Sequence, residues 1–96
     1  MTTLAFIGGG NMARALIGGQ IARGADPRLI RVAEPAENAR YGLAAEFGVV
    51  VHADNAAAVE GADVIVLAVK PQVMREVCTG IADLVGNPLV VDASAA

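Results

Sequence analysis

Three consecutive glycines stand between an apolar run and a helix-like run in the segment LAFIGGGNMARALIGG, residues 4–19. Ordered glycine loses more backbone entropy than any other residue, and it weakens helices and strands alike. Three at one junction point to a backbone that must turn sharply or be approached closely. The positions Gly8, Gly10 and Ala13 fit the pattern G-x-G-x-x-G/A, directly after a strand and at the start of a helix.

The rest of the chain repeats the same alternation. Thr3–Ile7 reads as a first strand. Asn11–Gly24 reads as a helix, with Met12, Leu16, Ile17 and Ile21 forming its apolar face and Gly24 its stop. ADPR is turn-like, Leu29–Glu34 a second strand ended by Pro35, and Ala36–Gly48 a second helix. Val49–Ala53 reads as a short third strand, followed by a short helix capped by Asp54 or Asn55. Asp63–Val69 is the most apolar segment and reads as a central strand. Pro71 opens a fourth helix running to about Val85, GNP turns the chain, and Leu89–Ala93 is a fifth strand. Strands alternating with helices predict an α/β domain with right-handed crossovers. The expected fold is a Rossmann-type, doubly wound parallel sheet of five strands in the order 3-2-1-4-5. Ligands of such sheets bind beyond the strands' carboxyl ends, where the winding reverses between strands 1 and 4.

Composition narrows the function. The 96 residues suit one domain, and with 55% hydrophobic but only 3% aromatic residues the core must be aliphatic. The longest apolar runs, such as Val64–Val69, fall far short of the ~18 residues of a membrane span. A net charge of −3 without a Lys/Arg cluster speaks against nucleic acid. A single cysteine, Cys78, and no secretory signal favour a reducing compartment, the cytoplasm. Cys78 is expected to pack as a small apolar group, and no Cys/His cluster has metal-ligand spacing.

The glycines then acquire individual roles. Gly8 permits the tight turn, Gly10 lets a pyrophosphate reach the backbone, and Ala13 lets the helix lie close to its strand. The helix start offers free N–H groups and partial positive charge to the phosphates. A glycine turn that merely packs a helix explains one glycine well and three in succession poorly. Gly18 and Gly19 are expected to allow close packing against the sheet. Glu34 stands at the end of strand 2, 24 residues after Gly10 and close to the usual ~20, where an acid can accept a ribose 2′-hydroxyl and repel a 2′-phosphate. That favours NAD, with Arg40 the nearby cation that could reverse it; the alternative is a solvated acid. At the end of strand 4, Ala68 and Val69 are expected to line the cleft. Lys70 either attracts a carboxylate or cofactor oxygen, or is simply solvated. Asn55 either meets the adenosine or only caps its helix.

With these motifs in place, the sequence resembles the N-terminal domain of pyrroline-5-carboxylate reductases. The resemblance rests on FIGGGNMARALIGG (Phe6–Gly19), ADVIVLAVKPQ (Ala62–Gln72) and LVVDASAA (Leu89–Ala96). It implies an oxidoreductase of proline biosynthesis that passes a hydride from NADPH or NADH to the C=N bond of a cyclic imine carboxylate, giving L-proline. It also implies that Gly8, Gly9, Gly10, Asn11 and Met12 bind the pyrophosphate, that Asn55 meets the adenosine portion, and that Ala68, Val69, Lys70 and Pro71 border the nicotinamide ribose. Glu34 falls where the family separates NADP from NAD. Family members commonly read S-I-A-A-G after the fifth strand, where this chain reads DASAA. They also continue into a helical domain that builds a homo-oligomer and most of the imine pocket. Residues 1–96 are therefore expected to be the cofactor-binding part alone, without that C-terminal domain and inactive by itself.

No proton donor stands out, and no catalytic residue is assigned. His52 reads as an ordinary residue at the strand 3 edge, and Asp92 or Ser94 could reach the cleft only from the end of strand 5. Two other readings share the motif. One is the cofactor domain of a different NAD(P) oxidoreductase, prephenate dehydrogenase-like or F420-linked, against which the A-V-K-P segment speaks. The other is a non-catalytic nucleotide-binding module.

Overall fold

The computed structural model describes residues 2–82 and 88–93. The expected reach of the fourth helix to Val85, the turn at Gly86–Asn87 and Ser94 lie outside them. Five strands, β1 (Leu4–Ile7), β2 (Ile30–Ala33), β3 (Val50–His52), β4 (Val64–Leu67) and β5 (Leu89–Asp92), form one parallel sheet in the order β3-β2-β1-β4-β5. Among the described residues four helices connect them: α1 (Asn11–Ala22), α2 (Glu37–Phe47), α3 (Asn55–Val59) and α4 (Pro71–Ile81). The predicted fold class and strand order are those observed.

β1 lies at the centre, with Leu4–Ile7 in register against Ile30–Ala33 on one side and Val64–Leu67 on the other. Its side chains alternate between two cores, as the period of a strand requires. Phe6 points to α1 and α2 and packs with Ala13, Ile17, Ile30, Val32, Leu43 and Val49. Ala5 and Ile7 point to α3 and α4 and pack with Ala33, Ala58, Val59, Ile65, Leu67 and Ile81. Helices therefore cover both faces, which is why the strands read as unbroken apolar runs.

Local chemistry fixes the element ends. Asp54 caps α3, its carboxylate accepting from the Ala57 N–H at 2.8 Å. Pro71 occupies the first turn of α4, where its missing N–H costs nothing. Gly48 ends α2 in the left-handed region at φ 73°. The Arg31 guanidinium donates to the Ala58 and Glu60 carbonyls at the far end of α3. A 3-10 turn at Pro27–Leu29 leads into β2, capped by Asp26, whose carboxylate binds both the backbone and the guanidinium of Arg28. The side-chain bond to Arg28 holds the Asp26 carboxyl below its usual range.

Three expectations about helix faces are corrected. Gly18 and Gly19 do not lie against the sheet. A Cβ on Gly18 would meet the Phe47 ring of α2 at 3.5 Å, and one on Gly19 would meet nothing. The apolar face of α1 is also split. Ala13 and Ile17 are buried, while Met12 and Leu16 stay 38% and 39% exposed beside β4 and β5. Cys78 is exposed rather than packed, because α4 turns Met74, Val77 and Ile81 inward at helical spacing and leaves Cys78 outside that stripe.

Candidate functional site

The three glycines have different surroundings: Gly8 and Gly9 each face a close neighbour, and Gly10 faces open space. The Gly8 N–H donates to the Ala33 carbonyl and the Ala68 N–H to the Ile7 carbonyl, both at 2.9 Å, so the sheet ladder runs to the edge of the turn on both sides. Gly8 then adopts φ +99°, and a Cβ there would stand 2.5 Å from the Ala68 carbonyl oxygen. Only glycine suits that combination of backbone angle and contact. Gly9 is buried, and its Cβ would sit 2.8 Å from Leu43 Cδ1 and 3.1 Å from Glu34 Cβ. Gly10 is extended (φ −79°, ψ −165°), exposed, and has nothing within 4 Å where its Cβ would point. Its carbonyl accepts from the Arg14 N–H at 3.0 Å, which starts α1.

That start has no side-chain cap. The first N–H groups of a helix have no partner within the helix, and they carry the positive end of its dipole. An uncapped helix terminus beside an open Gly10 therefore fits an anionic group, and the pyrophosphate of a dinucleotide meets both conditions. Asn11 and Met12, the first two residues of α1, are exposed there.

Glu34 is turned toward this loop. Its Oε1 accepts from the Gly9 N–H at 3.1 Å and its Oε2 from the Ala36 N–H at 2.8 Å. Arg40 Nη1 donates to the Glu34 and Pro35 carbonyls, both at 2.9 Å. The reading of Glu34 as a merely solvated acid is corrected: half-buried, it bridges two backbone N–H groups.

Beside the loop, at the carboxyl ends of β1 to β4, lies a depression of about 350 Å³ lined by Gly8, Pro35, Ala53, Asn55, Val69 and Val77, among others. The structure thus brings Gly8, Asn55 and Val69 together. The capping question is answered by Asp54, which leaves Asn55 among the lining residues.

Other residues singled out from the sequence lie elsewhere. Ala68 packs with the core under α1 and α2 and meets the loop through its carbonyl. Lys70 and Pro71 are exposed at the start of α4, outside the depression. Met12 and Asp92 line a different, apolar groove of about 440 Å³ between α1, β4 and β5. His52 sits at the end of β3, where its carbonyl accepts from the Glu34 N–H at 2.9 Å.

Pro35, Ala53 and Val77 were not singled out. Pro35 and Ala53 follow strand ends, the one position where an α/β sheet presents residues to a ligand. Val77 follows Met74 by three residues on the buried face of its helix. Those were the available signals.

Comparison with known proteins accords with this geometry. Residues 3–96 match the family model described as NADP oxidoreductase coenzyme F420-dependent. The chain belongs to this family. It is 49% identical over 79 residues to the pyrroline-5-carboxylate reductase of Pseudomonas aeruginosa, covering 82% of this chain and 29% of that protein. Among solved structures it is similar to a pyrroline-5-carboxylate reductase from Coxiella burnetii, with a TM-score of 0.90 and 38% identity over 95% of this chain and 34% of that one. It is also similar to the 3-hydroxyisobutyrate dehydrogenase of Mycobacterium tuberculosis, with a TM-score of 0.83 and 32% identity, over 96% of this chain and 31% of that one. The chain thus spans about a third of the length of these relatives. Among the described residues no helix is long and apolar enough to cross a membrane.

Proposed function

We propose that residues 1–96 are the NAD(P)-binding domain of a pyrroline-5-carboxylate reductase. The observation that carries the proposal is the open, uncapped helix start at Gly10, set at the point where the sheet reverses its winding, in a chain 49% identical to such an enzyme over 79 residues. Gly8, Gly9, Gly10, Asn11 and Met12 form the turn that takes the pyrophosphate. Glu34 meets the adenosine ribose, and Asn55 lines the pocket for the adenosine. Ala68, Val69, Lys70 and Pro71 border the nicotinamide side, Ala68 through its backbone.

A bound NADPH or NADH supplies the hydride, and the chain supplies its place and orientation. The substrate would be 1-pyrroline-5-carboxylate, a cyclic imine carboxylate, reduced at its C=N bond to L-proline. The acid that protonates the imine nitrogen and the groups that hold the substrate carboxylate are assigned to the part of the relatives' length that this chain does not span. Assembly as a homo-oligomer and a cytoplasmic location belong to the same reading.

Joining residues 1–96 to the remaining part of the Pseudomonas aeruginosa relative tests it. The expected result is oxidation of NADPH or NADH that depends on 1-pyrroline-5-carboxylate. A soluble, folded chimera that binds coenzyme yet reduces no cyclic imine would refute the substrate assignment. The match of residues 3–96 to a family described as coenzyme F420-dependent favours a second reading, an F420-linked oxidoreductase; a chimera that exchanges hydride with that deazaflavin instead would support it.

A further inference from the structure

The apolar groove between α1, β4 and β5 shares no lining residue with the depression beside Gly8. Phe6, Val64, Val66 and Val91 line it from the strands, and Met12 and Leu16 from α1. Alternation along β4 separates the two faces of the sheet. Ile65 and Leu67 are buried under α3 and α4, while Val64 and Val66, facing the groove, are only half-buried. Leu89 and Val91, in register with Val64 and Val66, stand exposed. A parallel sheet needs cover on both faces, and among the described residues the α1 side of this edge has none.

α1 presents a matching face. Met12, Ala15, Leu16, Gly19 and Arg23 recur at helical spacing and are all exposed. Gly19 is the odd member. A glycine inside a helix weakens it, and nothing lies within 4 Å of where its Cβ would point, so no contact within this molecule requires it. A gap in a helix surface lets a second helix come close. Leu16, one turn earlier, is a side chain of the kind such a gap receives. The two ends of the face carry opposite charge. Arg23 stands at one end, and Asp92, which lines the groove with Met12, stands at the other, by the carboxyl ends of the strands.

We infer that this face and the groove beside it form a two-fold interface with a second copy of this chain. A two-fold axis passing near Leu16 and Gly19 runs the two α1 helices antiparallel. Leu16 of each copy then enters the gap at Gly19 of the other, and each groove is roofed by the other copy's α1. The same axis sets Arg23 of each copy toward Asp92 of the other, whereas parallel helices would set Arg23 against Arg23. The β5 edges approach each other beneath the helices, which covers Leu89 and Val91. The surface is complementary to itself, since one patch supplies both the side chain and the gap, and both charges. An isologous contact of this kind closes at two copies, unlike the open recruitment of strands. The depression beside Gly8 stays open, so the interface does not depend on the cofactor reading.

Sedimentation equilibrium on the 96-residue chain and its variants tests this. The parent should show a monomer–dimer equilibrium with no larger species. Leu16→Glu puts an unpaired charge at the centre of the interface and should weaken the dimer at least about tenfold. Gly19→Gln replaces the glycine by a good helix former while filling the gap. It should weaken the dimer by about tenfold as well, yet melt no lower than the parent when both are dilute enough to be monomeric. Arg23→Asp should weaken the dimer, and Arg23→Asp combined with Asp92→Arg should restore it.

A parent chain that stays monomeric would overturn the proposal, as would a dimer indifferent to Leu16→Glu and Gly19→Gln. Growth beyond two copies would overturn the closed two-fold and leave the β5 edge as the cause. A double charge reversal that fails to restore the dimer would overturn the antiparallel arrangement. A lowered melting temperature in Gly19→Gln would show that Gly19 serves the fold of the single chain. A monomeric parent, together with a Leu16→Glu change that prevents the chimera described above from folding, would assign the groove to a segment of a longer polypeptide and so reject the second copy.

Discussion

Gly8 and the carbonyl of Ala68 meet so closely that a Cβ on Gly8 would stand 2.5 Å from the Ala68 oxygen. The loop after β1 and the end of β4 are therefore in backbone contact at the place where the sheet changes winding direction. The cleft of this domain opens around that contact.

Gly8→Ala should be severely destabilising. The backbone at φ +99° disfavours any side chain, and the clash is with a carbonyl of the sheet rather than with a flexible group that could move aside. The expected loss is about 2–4 kcal/mol. For a domain of this size that corresponds to a melting temperature lower by ~10 °C or more. Thermal unfolding followed by circular dichroism checks it, and a shift within a few degrees would count against the contact.

Gly10→Val should behave in the opposite way. Nothing lies within 4 Å of its Cβ direction, and its extended backbone accepts a β-branched residue. Stability should fall by no more than about 1 kcal/mol, the cost of a poorer helix cap. Coenzyme binding should be abolished, because the valine fills the space a pyrophosphate needs. A folded Gly10→Val chain titrated with NADH gives the answer, and undiminished affinity would show that the ligand lies elsewhere.

The contrast between these two glycines shows what could be read from the sequence. The order of elements and the five-stranded topology were legible, because each follows from a local pattern: apolar runs, caps and the G-x-G-x-x-A spacing. Gly9 was not legible. Its need for glycine comes from Leu43 and the stem of Glu34, both far away in sequence. The inward turn of Glu34 was hidden for the same reason. Helix faces failed where a simple periodicity had two possible partners. Met12 and Leu16 follow the spacing of Ile17 and Ile21, yet they border the groove beside β4 and β5 instead of entering the core.

That groove adjoins an edge. β5 is the last strand of the described sheet on its side, and Leu89, Val90 and Val91 are 64%, 49% and 41% exposed. Unpaired apolar edges recruit further strands. The isolated 96-residue chain should therefore self-associate as its concentration rises, and Leu89→Lys should reduce the effect. Sedimentation velocity across a concentration series measures both, and a parent chain that stays monomeric throughout would contradict the expectation.

The central claim is that the backbone at Gly10 and the start of α1 receives the diphosphate of a nicotinamide dinucleotide. A titration of the 15N-labelled chain with NADH, followed amide by amide in NMR spectra, tests it most directly. The account expects saturable shifts that are largest at Gly10, Asn11 and Met12, with smaller ones around Glu34 and Asn55. Shifts confined to the opposite ends of the strands, near Gln20 and Asp26, or no saturable shifts at all, would contradict it.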